Sequence, residues 1–310
     1  MSRKALLAKV SRPRLFDVVP RERLFALLDE NRGRPLIWIV SPPGAGKTTL
    51  VASYLEARGI ASIWYQIDAG DADPATFFDH LSLAASPLRE ASDTPLPRFA
   101  AEHMADIPAF ARIYLRALFS QLPAGVVLVL DNYQDAPEDS TLHAVALECV
   151  RQTPTGGSTF AVSRQDAPPS FVQLAATSAM LTVGWDKLRL TGDEVLALCA
   201  KRGVTEGWVV QAMHQQSQGW AAGITLMLER FEHVDAAARV LPSETRESVF
   251  NYFASLIFDQ ASEATRAILL ALAWLPRVTP SLAIALSANP AAPTLLAWIS
   301  THHHWGNAAR

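Results

Sequence analysis

Apolar positions in the first 190 residues follow two rhythms. Short runs rich in β-branched and aromatic residues occur at 36–40 (LIWIV), 60–67 (IASIWYQI), 126–131 (VVLVLD), 159–162 (TFAV) and 180–183 (MLTV). Such runs predict strands. Between them, apolar residues recur at helical spacing: Leu24, Leu27 and Leu28 before the first strand, the segment LVASYLEARG after it, and Phe77, Phe78, Leu81 and Leu83 behind the cap-and-proline start Asp73-Pro74. Two more helices are predicted over 108–122, with Phe110, Ile113, Tyr114 and Ala117 on one face, and over 140–151. The unbroken aliphatic run at 126–130 implies a strand buried on both faces, as in a parallel sheet covered by helices. Strand and helix alternate from 36 to 183, which predicts a doubly wound α/β fold.

From Thr191 onward the pattern is helical only. Thr191 and Glu194 have the spacing of a capping box. Helical segments are predicted at 193–201, 207–217, 221–231, 244–258, 262–274 and 280–288, with Pro242, Pro276, Pro290 and Pro293 punctuating the last three. The division expected is an α/β domain over 1–190, a helical domain over 191–260 and a further small domain over 261–310.

Composition narrows the class. Of 310 residues, 50% are apolar and 18% charged, enough for substantial cores and unlike a disordered chain. The apolar run at 267–275 is too short to span a bilayer, and no apolar stretch follows the N-terminal basic residues. No membrane association and a cytoplasmic location are therefore expected. A net charge of -3 and a pI near 6.2 argue against DNA binding by this chain itself. Cys149 and Cys199 lie in helical patterns and are expected to be buried free thiols. The run His302-His303-His304 lacks the spacing of a metal site and reads as a hydrated helix end.

The chemistry concentrates at 36–50, LIWIVSPPGAGKTTL. A strand, a glycine-containing turn and a helix start form a phosphate cradle: loop amides converge on phosphate oxygens, and the helix N-terminus faces the same anion. Ser41, Pro42, Pro43, Gly44, Ala45, Gly46, Lys47, Thr48 and Thr49 are the candidate nucleotide-binding residues. Lys47 is expected at the β/γ-phosphates and Thr48 on Mg²⁺. Ser41 stands where this motif usually begins with glycine; Pro42-Pro43 pre-set the turn in its place. Asp131, at the C-terminal end of a buried strand, fits a second Mg²⁺ ligand. The residue after it is Asn132, which cannot accept a proton at neutral pH, so slow hydrolysis is expected. Arg164, just after the strand at 159–162, is placed to sense a γ-phosphate.

These stretches, with SRPRLF at 11–16, WYQIDAGDADPATFF at 64–78, VVLVLDNY, AVSR and QGWAAGITLM at 218–227, occur in an order that resembles one family. They are similar to the nucleotide-binding module of signal-transduction ATPases with numerous domains. The nearest subset is the LuxR-type large bacterial transcriptional regulators related to the maltose-regulon activator. The resemblance implies a P-loop NTPase domain followed by an all-α helical domain and, over 261–310, a partial winged helix. It implies ATP or ADP with Mg²⁺ as cofactor, a closed ADP state and self-association in the ATP state. It assigns phosphate and metal roles to Gly44, Gly46, Lys47, Thr48, Thr49 and Asp131, and the γ-phosphate contact to Arg164. Arg21, within PRERL, corresponds to an adenine-side motif, with Pro20 replacing its glycine. Gly219-Trp220-Ala221 resembles a Gly-x-Pro motif, with Ala221 replacing the proline that touches adenine. Sensor and DNA-binding parts of such regulators are not expected within these residues. The function expected is a nucleotide-controlled regulatory switch; a turning-over P-loop ATPase and a non-cycling interaction scaffold are the alternatives.

Overall fold

The computed structural model describes residues 7–89, 94–232, 263–272, 279–287, 289–290 and 292–293. The helices predicted at 244–258 and the histidine run at 302–304 lie outside them. The chain divides into two compact units: residues 1–214 with 218–221, and residues 215–217 with 222–310.

The first unit is built on five parallel strands: β1 (Leu36–Val40), β2 (Ser62–Gln66), β3 (Val127–Asp131), β4 (Ser158–Ser163) and β5 (Met180–Val183), in the order β2-β3-β4-β1-β5. Side chains alternate between two faces, and each face has its own core. Ile37, Ile39, Val127, Val129, Phe160 and Val162 pack against α1 (Glu22–Glu30) and α2 (Lys47–Ala57). Leu36, Trp38, Ile63, Tyr65, Leu128 and Leu130 pack against α3 (Pro74–Ala85), α4 (Ile107–Phe119) and α5 (Leu142–Gln152). Helices on both faces explain why β3 and β4 are buried at every position.

Local signals place several helix starts. Asp73 accepts from the amides of Ala75 and Thr76 ahead of Pro74, and Asp106 accepts from Ala109 ahead of α4. One face assignment differs: Ile113 is 62% exposed, while Phe110, Ala111, Tyr114, Leu115 and Leu118 form the buried stripe of α4. The stripe turns about one residue away from the predicted face because Ala111 and Leu115 pack on the core where Ile113 and Ala117 were expected.

An N-terminal clasp holds the edge strand. Lys9 Nζ lies 2.9 Å from Asp71 Oδ2 and 2.6 Å from Asp68 Oδ2, and Tyr65 Oη donates to Asp71 Oδ1 at 2.6 Å. Asp71 also accepts from the Asp68 amide, closing a short turn over Ala69–Ala72. Val10 is buried beside it in the core.

Past β5, α6 (Val172–Ala176) having preceded that strand, come α7 (Trp185–Leu188), α8 (Gly192–Lys201) and α9 (Gly207–Ser217). Thr191 and Glu194 close the predicted capping box, at 3.3 and 2.9 Å. Cys149 and Cys199 are buried and free. In the second unit lie most of α10 (Ala221–Glu232), then α11 (Glu263–Leu272) and α12 (Pro280–Ser287); Ile268, Leu272, Ala283 and Ala292 form a small core.

Candidate nucleotide-binding site

The loop from Ser41 to Gly46 joins β1 to α2 at the C-terminal edge of the sheet. Gly44 and Gly46 both have left-handed backbones, φ +71° and +82°. That geometry is costly for residues with a Cβ, and it turns the loop onto the helix start. Lys47 opens α2 and is buried; its Nζ donates to the carbonyls of Ser41 at 2.7 Å and Pro42 at 3.0 Å. Burial pushes its ammonium down to about 8, and the neighbouring Arg164 charge adds to that, while Asp131 acts in the opposite sense. Two cations therefore share one edge of the sheet. Among the described residues the Arg164 guanidinium has no ion-pair partner.

Thr48 Oγ1 donates to Asp131 Oδ1 at 3.1 Å, although β4 lies between β1 and β3. Asp131 is buried, and burial raises its carboxyl above the ordinary range against the pull of Thr48, the Asn132 amide and Lys47. A hydroxyl and a carboxylate oxygen set side by side are hard-oxygen donors of the kind Mg²⁺ takes. The residues present thus fit a phosphate group and its divalent ion. No cluster of three or more His, Cys, Asp or Glu suited to a metal occurs among the described residues.

Arg21 is buried. Its guanidinium donates to the carbonyls of Leu188 at 2.8 Å and Arg189 at 3.0 Å and pairs with Glu194 at 3.2 Å. It thereby ties the chain ahead of α1 to the start of α8. Leu15, Val18, Pro20 and Phe25 line a groove against Ser53, Glu56 and Ala57 of α2, of about 280 Å³.

A further contact reaches the loop from the end of α9. Gln218 and Gly219 take left-handed backbones, and Trp220, buried, donates its indole N–H to the Pro43 carbonyl at 3.0 Å. A Cβ added to Gly46 would lie 3.8 Å from that of Ala221. Gly219 O accepts from Leu190 N at 2.8 Å, which fixes the turn that carries Trp220.

Comparison with known proteins agrees with this picture. The HTH-type transcriptional regulator MalT of Vibrio cholerae is 27% identical over 282 residues, 85% of this chain and 30% of the relative. That of Vibrio campbellii is 26% identical over 299 residues, 90% and 32%. The chain resembles the MalT regulators. It spans about a third of the length of these curated relatives. No family model matches. Among solved structures, a signal transduction ATPase with numerous domains from Pyrococcus horikoshii, bearing a tetratricopeptide repeat sensor, superposes with a TM-score of 0.50 at 16% identity, covering 93% of this chain and 40% of its own. With the strand order above, the fold is that of a P-loop NTPase.

Within this MalT-like chain, sequence reading missed three contacts at the site: Lys47 on its own loop carbonyls, Trp220 on Pro43, and Gln134, whose side-chain oxygen accepts from the Arg164 amide at 3.0 Å. QGWAAGITLM marked the right segment, but no local signal told that Trp220 rather than Ala221 makes the polar contact. Among the described residues no helix is long and apolar enough to cross a membrane.

Proposed function

We propose that this chain is an ATP- and ADP-binding switch module of a transcriptional regulator, in which the nucleotide serves as a signal and is hydrolysed slowly or not at all. The observation that carries the reading is the meeting on one loop of Lys47, the Thr48–Asp131 pair and the Trp220 contact. A loop touched by a segment at the end of α9 has a means of reporting its occupancy to the helical part of the chain. In this reading residues 1–190 bind nucleotide, 191–260 act as the helical domain, and 261–310 begin a winged helix.

Gly44, Ala45 and Gly46 orient loop amides toward the phosphates, with Ser41, Pro42 and Pro43 setting the turn and Thr49 extending the helix N-terminus. Lys47 leaves the Ser41 and Pro42 carbonyls and neutralises phosphate charge. Thr48 and Asp131 hold Mg²⁺, which when bound offsets charge on the phosphate oxygens. Arg164 contributes a second positive charge toward a γ-phosphate, and Arg21 fixes the base side of the site. Asn132, in place of an acid, leaves the attacking water without a general base, which supports slow turnover. Self-association in the ATP state and a cytoplasmic location complete the proposal; DNA binding is left to parts of a regulator beyond this module.

The test is the nucleotide content of purified protein after denaturation, followed by calorimetric titration with ADP and with ATP plus Mg²⁺, and by sedimentation in each state. Absence of affinity for either nucleotide would overturn the reading. Steady-state hydrolysis above about 1 s⁻¹, the low edge of ordinary enzyme turnover, abolished by Lys47→Ala, would replace the switch by a working ATPase.

A further inference from the structure

Arg164 sits one residue beyond the end of β4, where the ladder to β3 has run out. The β3–β4 register stops at Leu130 opposite Ala161. On the other side, β1 stays in register to Val40 opposite Ser163, and Ser41 N donates to Ser163 O at 3.4 Å. Backbone groups alternate along a strand, so if Ser163 faces β1, the Arg164 amide faces β3, where no backbone acceptor is in register.

Gln134 fills that place. Its Oε1 accepts from Arg164 N at 3.0 Å, and its Nε2 donates to Asp135 Oδ1 at 3.2 Å. The two bonds require opposite ends of the amide, so reversing it would set donor against donor and acceptor against carboxylate. The turn bearing Gln134 is itself held. Asn132 is left-handed at φ +56°, Asp135 N donates to Asn132 O at 2.9 Å, and Tyr133 is buried edge-on to Trp38 with ring centroids 5.0 Å apart. Tyr133 Oη lies 2.9 Å from His143 Nδ1. Beyond Arg164, Ser163 Oγ accepts from Gln165 N at 3.0 Å, and the Trp38 indole donates to Gln165 O at 3.2 Å. The Arg164 backbone is thus clamped on both flanks, with Gln134 as the only clamp on the β3 side among the described residues.

We infer that Gln134 is a positioning residue for Arg164: its side-chain oxygen extends the β3–β4 ladder by one bond and aims the arginine at the terminal phosphate, so that discrimination between a nucleoside triphosphate and a diphosphate depends on it. This inference rests on the Arg164 role proposed above. Gln134 touches the turn after Asp131 and the start of the Arg164 loop together, so the metal-side turn and the phosphate-sensing loop move as one piece.

The experiment measures ADP and ATP–Mg²⁺ dissociation constants calorimetrically for the full chain and for Arg164→Ala, Gln134→Ala, Gln134→Met and the Gln134→Ala/Arg164→Ala double variant. Arg164→Ala is expected to weaken ATP selectively. Gln134→Ala and Gln134→Met are each expected to lose about 3- to 10-fold in ATP affinity, the worth of one hydrogen bond, with ADP affinity unchanged. The double variant is expected to lose no more than Arg164→Ala alone. Methionine keeps the volume and drops the acceptor. A native ATP/ADP ratio in Gln134→Met, or additive losses in the double variant, would overturn the positioning role while leaving the nucleotide site intact. An unchanged ratio in Arg164→Ala would remove the sensor role and the inference with it, and ADP binding would then test the loop independently.

Discussion

Gly219→Ala is the perturbation whose consequence the structure specifies most fully. Gly219 has φ +77°, and a Cβ there would lie 2.6 Å from Leu190 O, 3.0 Å from Leu190 N and 3.1 Å from Arg189 Cβ. Two of these are backbone atoms, which cannot swing aside as a flexible side chain does. Holding a non-glycine residue in the left-handed region costs about 1–2 kcal/mol. Moving Leu190 away breaks the 2.8 Å bond from its amide to Gly219 O, worth about 0.5–1.5 kcal/mol. The sum is about 1.5–3.5 kcal/mol. For a unit of this size that is a fall of roughly 5–10 °C in the unfolding midpoint. The assay is thermal unfolding by circular dichroism, alongside Gly184→Ala, a site at φ -87° where a Cβ would meet nothing within 4 Å. The control is expected to stay within about 0.5 kcal/mol of the parent, as for a residue free of strain or contact. The shift also carries Trp220 away from Pro43, so nucleotide affinity should change with stability in Gly219→Ala alone. Equal midpoints for the two variants would refute the reasoning.

Three further outcomes follow from the same structure. The Lys47 ammonium is held near 8 in the free protein, below its unfolded value. Its contribution to stability therefore rises with pH between about 8 and the ordinary lysine value of 10.5, and is lost as pH falls back through about 8. Phosphate binding reverses the preference, because an anion favours the charged lysine. Nucleotide affinity should be level below about pH 8 and about tenfold weaker at pH 9 than at pH 7, one pKa unit being a factor of ten; titration in two buffers of different ionisation enthalpy should reveal proton uptake at pH 9 and none at pH 7. Trp220→Phe keeps one aromatic ring but loses the donor to Pro43 and part of the buried indole, so it should cost at least about 1 kcal/mol in unfolding free energy and alter nucleotide affinity, as read by urea melts and titration. Lys9→Met leaves the fully buried Asp71 carboxylate without its cation, which should lower the urea-derived stability by about 3 kcal/mol, while Lys9→Arg should lose much less.

The sheet was legible in the sequence because each strand announces itself locally. Five aliphatic residues at 126–130 admit one environment, and Thr191 with Glu194 closes the predicted box within the pattern itself. The loop glycines were legible for the same reason: the backbone demands on them are local. Ile113 was misplaced because Phe110/Ile113/Tyr114/Ala117 and Phe110/Ala111/Tyr114/Leu115/Leu118 both fit helical spacing, and only the packing of Ala111 and Leu115 on the core separates them. Gln134 and Trp220 were out of reach for another reason. Each makes its bond across 30 and 177 positions respectively, and a polar tip finds such a partner through the topology, which local spacing does not encode. Lys9 is similar: its charge reads as an ordinary surface residue until Asp71, 62 positions away, is folded onto it.

The indole of Trp220 also bounds how strong the proposed switch can be. Its partner is a main-chain carbonyl of the loop, so in the switch proposed above nucleotide and helical segment would act on each other through the loop's shape, and reciprocity would make each bias the other by the same factor. One hydrogen bond of about 1 kcal/mol converts to roughly a fivefold bias in populations. Driving a two-state equilibrium from one extreme to the other requires about 5.5 kcal/mol. The larger share must therefore come from apolar surface: the buried face of Trp220 and the methyl of Ala221 against Gly46 would be wetted or released when the loop changes. On this accounting the proposed switch would be graded and tuned by an apolar contact, and substitutions that resize Ala221 should move its set point further than removal of any single polar bond.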